Sequence, residues 1–209
     1  MIVLGLTGSI GMGKTKAARA FQRLGVPVFD ADAAVHALLA PGGAAVDQVA
    51  EAFGAVAGAG GIDRTALGRL VFGDAAALEK LEGILHPLVR AREKRFLAAA
   101  RRRRVPLVVL DIPLLFETGG EARCDAVAVV SAPPFVQRAR VLGRPGMTPE
   151  KLSAIRARQM PDAEKRRRAD FVIATGAHRG DSLRRIRDIV RMLSARPDPR
   201  RCRGPSARS

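Results

Sequence analysis

Residues 8–15 read Gly8-Ser9-Ile10-Gly11-Met12-Gly13-Lys14-Thr15 and satisfy G-x-x-x-x-G-K-[ST] at every fixed position. The run before it, residues 2–7, is β-branched and leucine-rich and reads as a strand. After it, residues 14–24 read as a helix with Ala18, Phe21 and Leu24 facing the core. The glycines allow backbone angles that turn several N–H groups into one anion nest. The helix start adds its positive end. Lys14 is then in reach of β- and γ-phosphates, and the Thr15 hydroxyl of Mg²⁺. The pattern by itself specifies a nucleoside triphosphate with Mg²⁺ and leaves kinase, GTPase and motor open.

The rest of the chain predicts how that loop is framed. Further strand-length apolar runs occur at 26–29, 105–112, 126–130 and 171–174. With 2–7 they make five, separated by helical stretches, which predicts a five-stranded parallel sheet with helices on both faces. Residues 36–104 are mostly helical, broken at Pro41-Gly42-Gly43 and by a 58–61 loop, and read as a helical insertion. Residues 135–142 and 149–159 read as polar, Arg-rich helices of a small lid spanning 137–167, with Gly143 and Gly146 flanking a flexible turn. A final helix has Leu183, Ile186, Val190 and Leu193 on one face, capped by Asp181 or Ser182. The core then comprises about 1–35, 105–136 and 168–195, and the Pro- and Arg-rich stretch 196–209 is expected to be disordered.

Composition narrows the partners. The chain has 36 basic and 20 acidic residues, for a net charge of +16, which suits a polyanion of some kind. The runs 101–104 and 165–168 are expected to be solvated surface. Trp and Tyr are absent, so a nucleic-acid-binding ATPase would lack aromatic platforms for base stacking. No specific nucleic-acid partner is expected. Cys124 and Cys202 belong to no metal-binding or disulfide pattern. No stretch is long enough to span a bilayer, and no signal segment is read, so a cytoplasmic protein is expected.

Phe29-Asp30-Ala31-Asp32 follows the second strand, and ligands of open α/β sheets bind beyond the carboxyl ends of strands. On an extended segment alternate residues diverge, so one carboxylate enters the cleft and can accept a hydroxyl proton. The alternative is that Asp30 or Asp32 caps the helix that follows. His36 lies one helical turn beyond Asp32.

These segments resemble the dephospho-CoA kinase family. Residues 5–15 resemble its phosphate loop, and Asp30-Ala31-Asp32 with His36 its DxDxxxH segment. His86-Pro87-Leu88-Val89-Arg90 is similar to its HPxxR segment, and Asp111-Ile112-Pro113-Leu114-Leu115-Phe116-Glu117 to its PLLFE segment. Gln137-Arg138 with Arg140, then Gln159-Met160-Pro161, Glu164-Lys165 and Ala169-Asp170, resemble its lid and the pattern beyond. The matches run in order from about residue 2 to residue 176.

The resemblance implies an α/β fold with a three-layer P-loop NTPase core, a helical acceptor-binding insertion and a small helical lid. It implies a kinase moving the ATP γ-phosphate to the ribose 3′-hydroxyl of dephospho-CoA. Asp32, Lys14 and Arg140 become catalytic candidates. ATP is then held by Gly8, Ser9, Ile10, Gly11, Met12, Gly13, Lys14, Thr15, Lys16, Arg144 and Thr175. The acceptor set is Asp32, His36, His86, Arg90, Pro113, Leu114, Leu115 and Phe116. Thr15 and Asp111 hold Mg²⁺. A nucleoside or nucleotide kinase on the same core and a nucleic-acid-binding ATPase are the alternatives. A monomer with weak self-association at most is expected. One departure stands out: the family places an Asn after the last strand, where this chain has Thr175.

Overall fold

The computed structural model describes residues 1–195 apart from 55, 59 and 177. The chain divides into two units, Met1–Phe29 with the residues from Ala100 onward, and Asp30–Ala99. The 196–209 stretch lies outside the described residues.

The first unit is built on a parallel sheet. Strand β1 (Ile2–Thr7) is buried at all six positions, which requires cover on both faces. It pairs with β5 (Leu107–Asp111), matching Ile2 to Leu107 and Leu6 to Asp111. On its other side it pairs with β6 (Ala126–Ser131), matching Leu4 to Ala126 and Thr7 to Val129. Strands β2 (Val28–Asp30) and β7 (Phe171–Ala174) form the edges, and the order is β2-β5-β1-β6-β7. Helix α1 (Lys14–Arg23) and helix α9 (Arg179–Ser194) lie on this sheet. Phe21, Ile186 and Ile189 pack there with Leu4, Leu107, Val130 and Ile173.

Several expected boundaries move. Leu24 does not face the core: it is the C-cap of α1 and 39% exposed. Strand β2 starts at Val28 because the Val26 N–H is already donated to Phe21 O, closing the helix exit. Asp181 and Ser182 do not cap α9, which begins earlier with His178 as N-cap. Asp181 instead pairs with Arg184 at 2.9 Å, and Ser182 Oγ donates to Ala174 O at 2.7 Å.

The stretch expected to be a lid contains α6 (Pro134–Leu142), α7 (Pro149–Ala157) and α8 (Asp162–Arg168). Helix α8 falls on a run expected to be solvated. Lys165 is fully buried there, while Arg166, Arg167 and Arg168 are exposed.

The second unit holds α2 (Ala31–Leu39), α3 (Val46–Phe53), α4 (Arg64–Val71) and most of α5 (Ala75–Arg102). A two-stranded hairpin, β3 (Ala57–Gly58) with β4 (Gly61–Ile62), replaces the expected plain loop. Leu38, Val49, Ile62, Leu67, Leu81 and Leu85 form a core of its own. Carboxylate caps set the helix starts: Asp30 Oδ1 accepts from Ala33 N, and Asp63 Oδ1 from Thr65 N and Ala66 N. Helix α5 runs through Pro87 without ending. A proline there removes one helical donor, so packing along the helix carries the turn.

Candidate active site

The phosphate loop leaves β1, the central strand, at its carboxyl end. Gly11 and Gly13 take φ of 76° and 95°, which side chains other than glycine rarely adopt. A Cβ on Gly11 would also stand 2.5 Å from Val141 Cγ2, so α6 packs against the loop too closely for any other residue.

Some loop amides are consumed and others are not. Met12 N–H donates to Ser9 O at 3.2 Å, and Ile10 N–H donates to Gln159 Oε1 at 3.1 Å. Among the described residues, the N–H groups of Gly11, Gly13, Lys14 and Thr15 have no recorded acceptor. Gly13, Lys14 and Thr15 give three consecutive unspent donors at a helix start, and Gly11 adds a fourth beyond Met12, an arrangement suited to an anion.

Lys14 Nζ lies 2.6 Å from Asp111 Oδ1. Asp111 is 2% exposed and ends β5 beside β1. Thr15 and Lys16 are exposed at the start of α1. A carboxylate and a hydroxyl are oxygen donors of the kind Mg²⁺ accepts, with phosphate oxygens and water completing its shell. Among the described residues no group of three or more His, Cys, Asp or Glu gathers into a metal-binding cluster.

Arg140 on α6 is engaged within the protein. Its Nη1 donates to Thr175 Oγ1 at 3.1 Å and to Gly11 O at 3.4 Å, and its Nη2 donates to Thr175 O. Thr175 Oγ1 in turn donates to Met12 O. Thr175 thus supplies a hydroxyl that both accepts from Arg140 and donates to the loop. Arg138 and Arg144 are exposed. Ser9 and Met12 also line a cavity of about 510 Å³, together with Gln137, Arg156, Gln159 and Asp162.

Beyond β5, Thr7 Oγ1 donates to Pro113 O at 2.8 Å. Leu115 and Phe116 are buried and Leu114 is 36% exposed, so only Leu114 of these leucines presents an open surface. Glu117 Oε1 accepts from Met160 N–H at 2.8 Å and pairs with Lys165 Nζ at 2.8 Å. The Lys165 contact is close enough for an ion pair, yet Nζ makes no directed hydrogen bond among the described residues, and neither does Glu117 Oε2.

In the other unit, the extended geometry expected for Asp30-Ala31-Asp32 gives way to a helix. Asp30 is the N-cap and spends Oδ1 on Ala33, while Asp32 is exposed in the first turn of α2. His36 is also exposed, and its Nδ1 is 2.9 Å from Arg64 Nη1. A guanidinium only donates, so Nδ1 accepts in this contact. Nothing local in the sequence links Arg64 to His36, since the two lie 28 positions apart. His86 and Arg90 are exposed one turn apart on α5 and line a cleft of about 490 Å³ with Glu82, Pro87 and Lys94.

Comparison with known proteins gives a consistent result. A dephospho-CoA kinase family model matches residues 2–179. A dephospho-CoA kinase of Paramagnetospirillum magneticum is 67% identical over 166 residues, covering 79% of this chain and 78% of that protein. The dephospho-CoA kinase of Rhodospirillum rubrum is 56% identical over 203 residues, covering 97% of this chain and 95% of the relative. Among solved structures, TT1252 from Thermus thermophilus superposes with a TM-score of 0.80 at 36% identity, covering 91% of this chain and 96% of that one. A dephospho-CoA kinase from Campylobacter jejuni shares the fold at a TM-score of 0.63 and 23% identity, over 92% and 97% of the two chains. The sheet order, the phosphate loop and these similarities together place the chain in the dephospho-CoA kinase family.

Proposed function

We propose that this chain transfers the γ-phosphate of ATP to the ribose 3′-hydroxyl of dephospho-CoA, giving ADP and coenzyme A. The observation that carries the reading is the extent of the family match. Residues 2–179 include both the phosphate loop and the whole 36–104 insertion with its HPLVR segment. A nucleotide kinase would share the first and have no reason to share the second.

The proposed residue roles join what the resemblance implies to the chemistry of each group. The unspent amides of Gly11, Gly13, Lys14 and Thr15 hold the β-phosphate region. Lys14 turns from Asp111 to the phosphates when nucleotide arrives. Thr15 and Asp111 would hold Mg²⁺, which neutralises charge on the phosphates. Arg140 and Arg144 supply further positive charge from the lid, and Lys16 lies next along α1. Asp32 orients the acceptor hydroxyl and takes its proton; its carboxylate is exposed and is not the one spent on capping. In the second unit the candidate acceptor contacts are His36, His86 and Arg90; in the first unit they are Pro113 and Leu114.

Charge supports the substrate class. A chain of net charge +16 whose free cations include Arg90 and Lys94 suits a pyrophosphate-bearing acceptor. Among the described residues no helix is long and apolar enough to cross a membrane. Separately from that, we propose a cytoplasmic location and a monomer with weak self-association at most.

The test is ADP release with Mg-ATP and dephospho-CoA, compared across wild type and Asp32→Ala, with nucleosides and nucleotides as alternative acceptors. Turnover should require dephospho-CoA and fall on the order of 10²- to 10⁴-fold in the variant. Turnover surviving the substitution would remove Asp32 from its role. Preference for a nucleotide acceptor would overturn the substrate.

A further inference from the structure

Three successive carbonyls of the phosphate loop are each held by a side chain from outside it. Gln137 Nε2 donates to Ile10 O at 2.8 Å, Arg140 Nη1 reaches Gly11 O at 3.4 Å, and Thr175 Oγ1 donates to Met12 O. A trans peptide sets its C=O and N–H on opposite sides. Carbonyls fixed toward α6 and the exit of β7 therefore turn the following N–H groups away from those elements. The N–H groups that follow Ile10 and Met12 belong to Gly11 and Gly13, two of the four unspent donors.

Ile10 is gripped on both sides. Its N–H goes to Gln159 Oε1 and its C=O to Gln137 Nε2, from residues 149 and 127 positions away. The partners have fixed roles, a backbone donor and a backbone acceptor, so the orientation of each side-chain amide is determined by its contact. Gln137 is 4% exposed inside α6, an expensive place for an amide unless it is hydrogen-bonded. Gln159 follows α7, beside Met160, whose N–H is tied to Glu117. Both ends of the α6–α7 segment are thus fastened to one loop residue.

We propose that Gln137 and Gln159 are positioning residues for the triphosphate. They act through the Ile10 backbone, keep the nest amides aimed at phosphate, and do not touch the nucleotide themselves. This rests on the loop being the ATP site, which wild-type turnover with ATP establishes separately. Because the nest is pre-oriented, binding does not have to order it, and the benefit falls on nucleotide affinity.

The experiment uses Gln137→Leu and Gln159→Leu, which keep approximate shape and remove the hydrogen bonds, alongside the shorter amides Gln137→Asn and Gln159→Asn. Steady-state kinetics are measured against ATP and dephospho-CoA, with inorganic tripolyphosphate as a competitor that has no adenosine to bind. The expected result is a KM for ATP raised about tenfold, roughly the loss of one net hydrogen bond. Tripolyphosphate inhibition should weaken in parallel, while the KM for dephospho-CoA stays within about twofold. A variant that melts earlier but keeps wild-type KM for ATP and wild-type tripolyphosphate inhibition would overturn the proposal, since a purely structural role behaves that way. If the leucine variants do not fold, the asparagine variants decide by the same two readouts.

Discussion

Lys14 and Asp111 form an ion pair at 2.6 Å, with the carboxylate 2% exposed at the end of a central strand and the ammonium at the start of a helix. Under the proposed roles, Lys14 goes to phosphate during turnover and Asp111 to Mg²⁺. The pair compensates a buried carboxylate, and on those roles it would do so until nucleotide and metal bind.

Asp111→Asn removes the charge and keeps the size. The Mg²⁺ needed for half-maximal turnover should rise about tenfold to a hundredfold, within the range seen when groups around metal sites are altered. A metal titration of ADP release measures it. An unchanged Mg²⁺ requirement would remove Asp111 from the metal site.

Thr175→Val is nearly isosteric and removes only the hydroxyl. Met12 O then loses its donor and Arg140 loses one of its acceptors. The expected cost is about 1–2 kcal/mol of folding stability, read by urea denaturation. The KM for ATP should rise too, because one of the three loop carbonyls is released.

Lys165→Met leaves Glu117 half-enclosed with no cation, its side chain only 16% exposed. Breaking such a pair from one side costs about 3 kcal/mol or more. Replacing both partners, Lys165→Met with Glu117→Gln, should recover a large part of that loss. If the single variant is as stable as wild type, Lys165 does not neutralise Glu117.

Much of the sheet was legible because its signals are local. Continuous apolar runs such as residues 107–111 and 126–131 give strands wherever they sit, and the phosphate loop is specified by eight consecutive residues. What escaped was decided by tertiary contact. Lys165 sits in a run of four cations, but a helix turns only one of them inward, and the inward one met Glu117, 48 positions earlier. Helix α9 starts ahead of Ser182, whose hydroxyl donates to Ala174 O, a partner that no local pattern announces. Gln137 and Gln159 drew notice only as members of a familiar pattern. Their shared partner, Ile10, is an unremarkable residue in the middle of the loop, and nothing local links the three.

The position of β1 has a consequence for how the chain reaches this state. It is the first strand along the chain and the middle strand of the sheet, yet its partners begin at Leu107 and Ala126. Until a hundred residues have followed it, both its edges carry unpaired backbone groups on an apolar segment. Pairings across such separations must close large loops before they repay the entropy, so they form slowly. The phosphate loop, whose shape depends on β1, α6 and the exit of β7 together, is made early and completed late, and the ability to bind nucleotide should emerge only in the final cooperative step of folding.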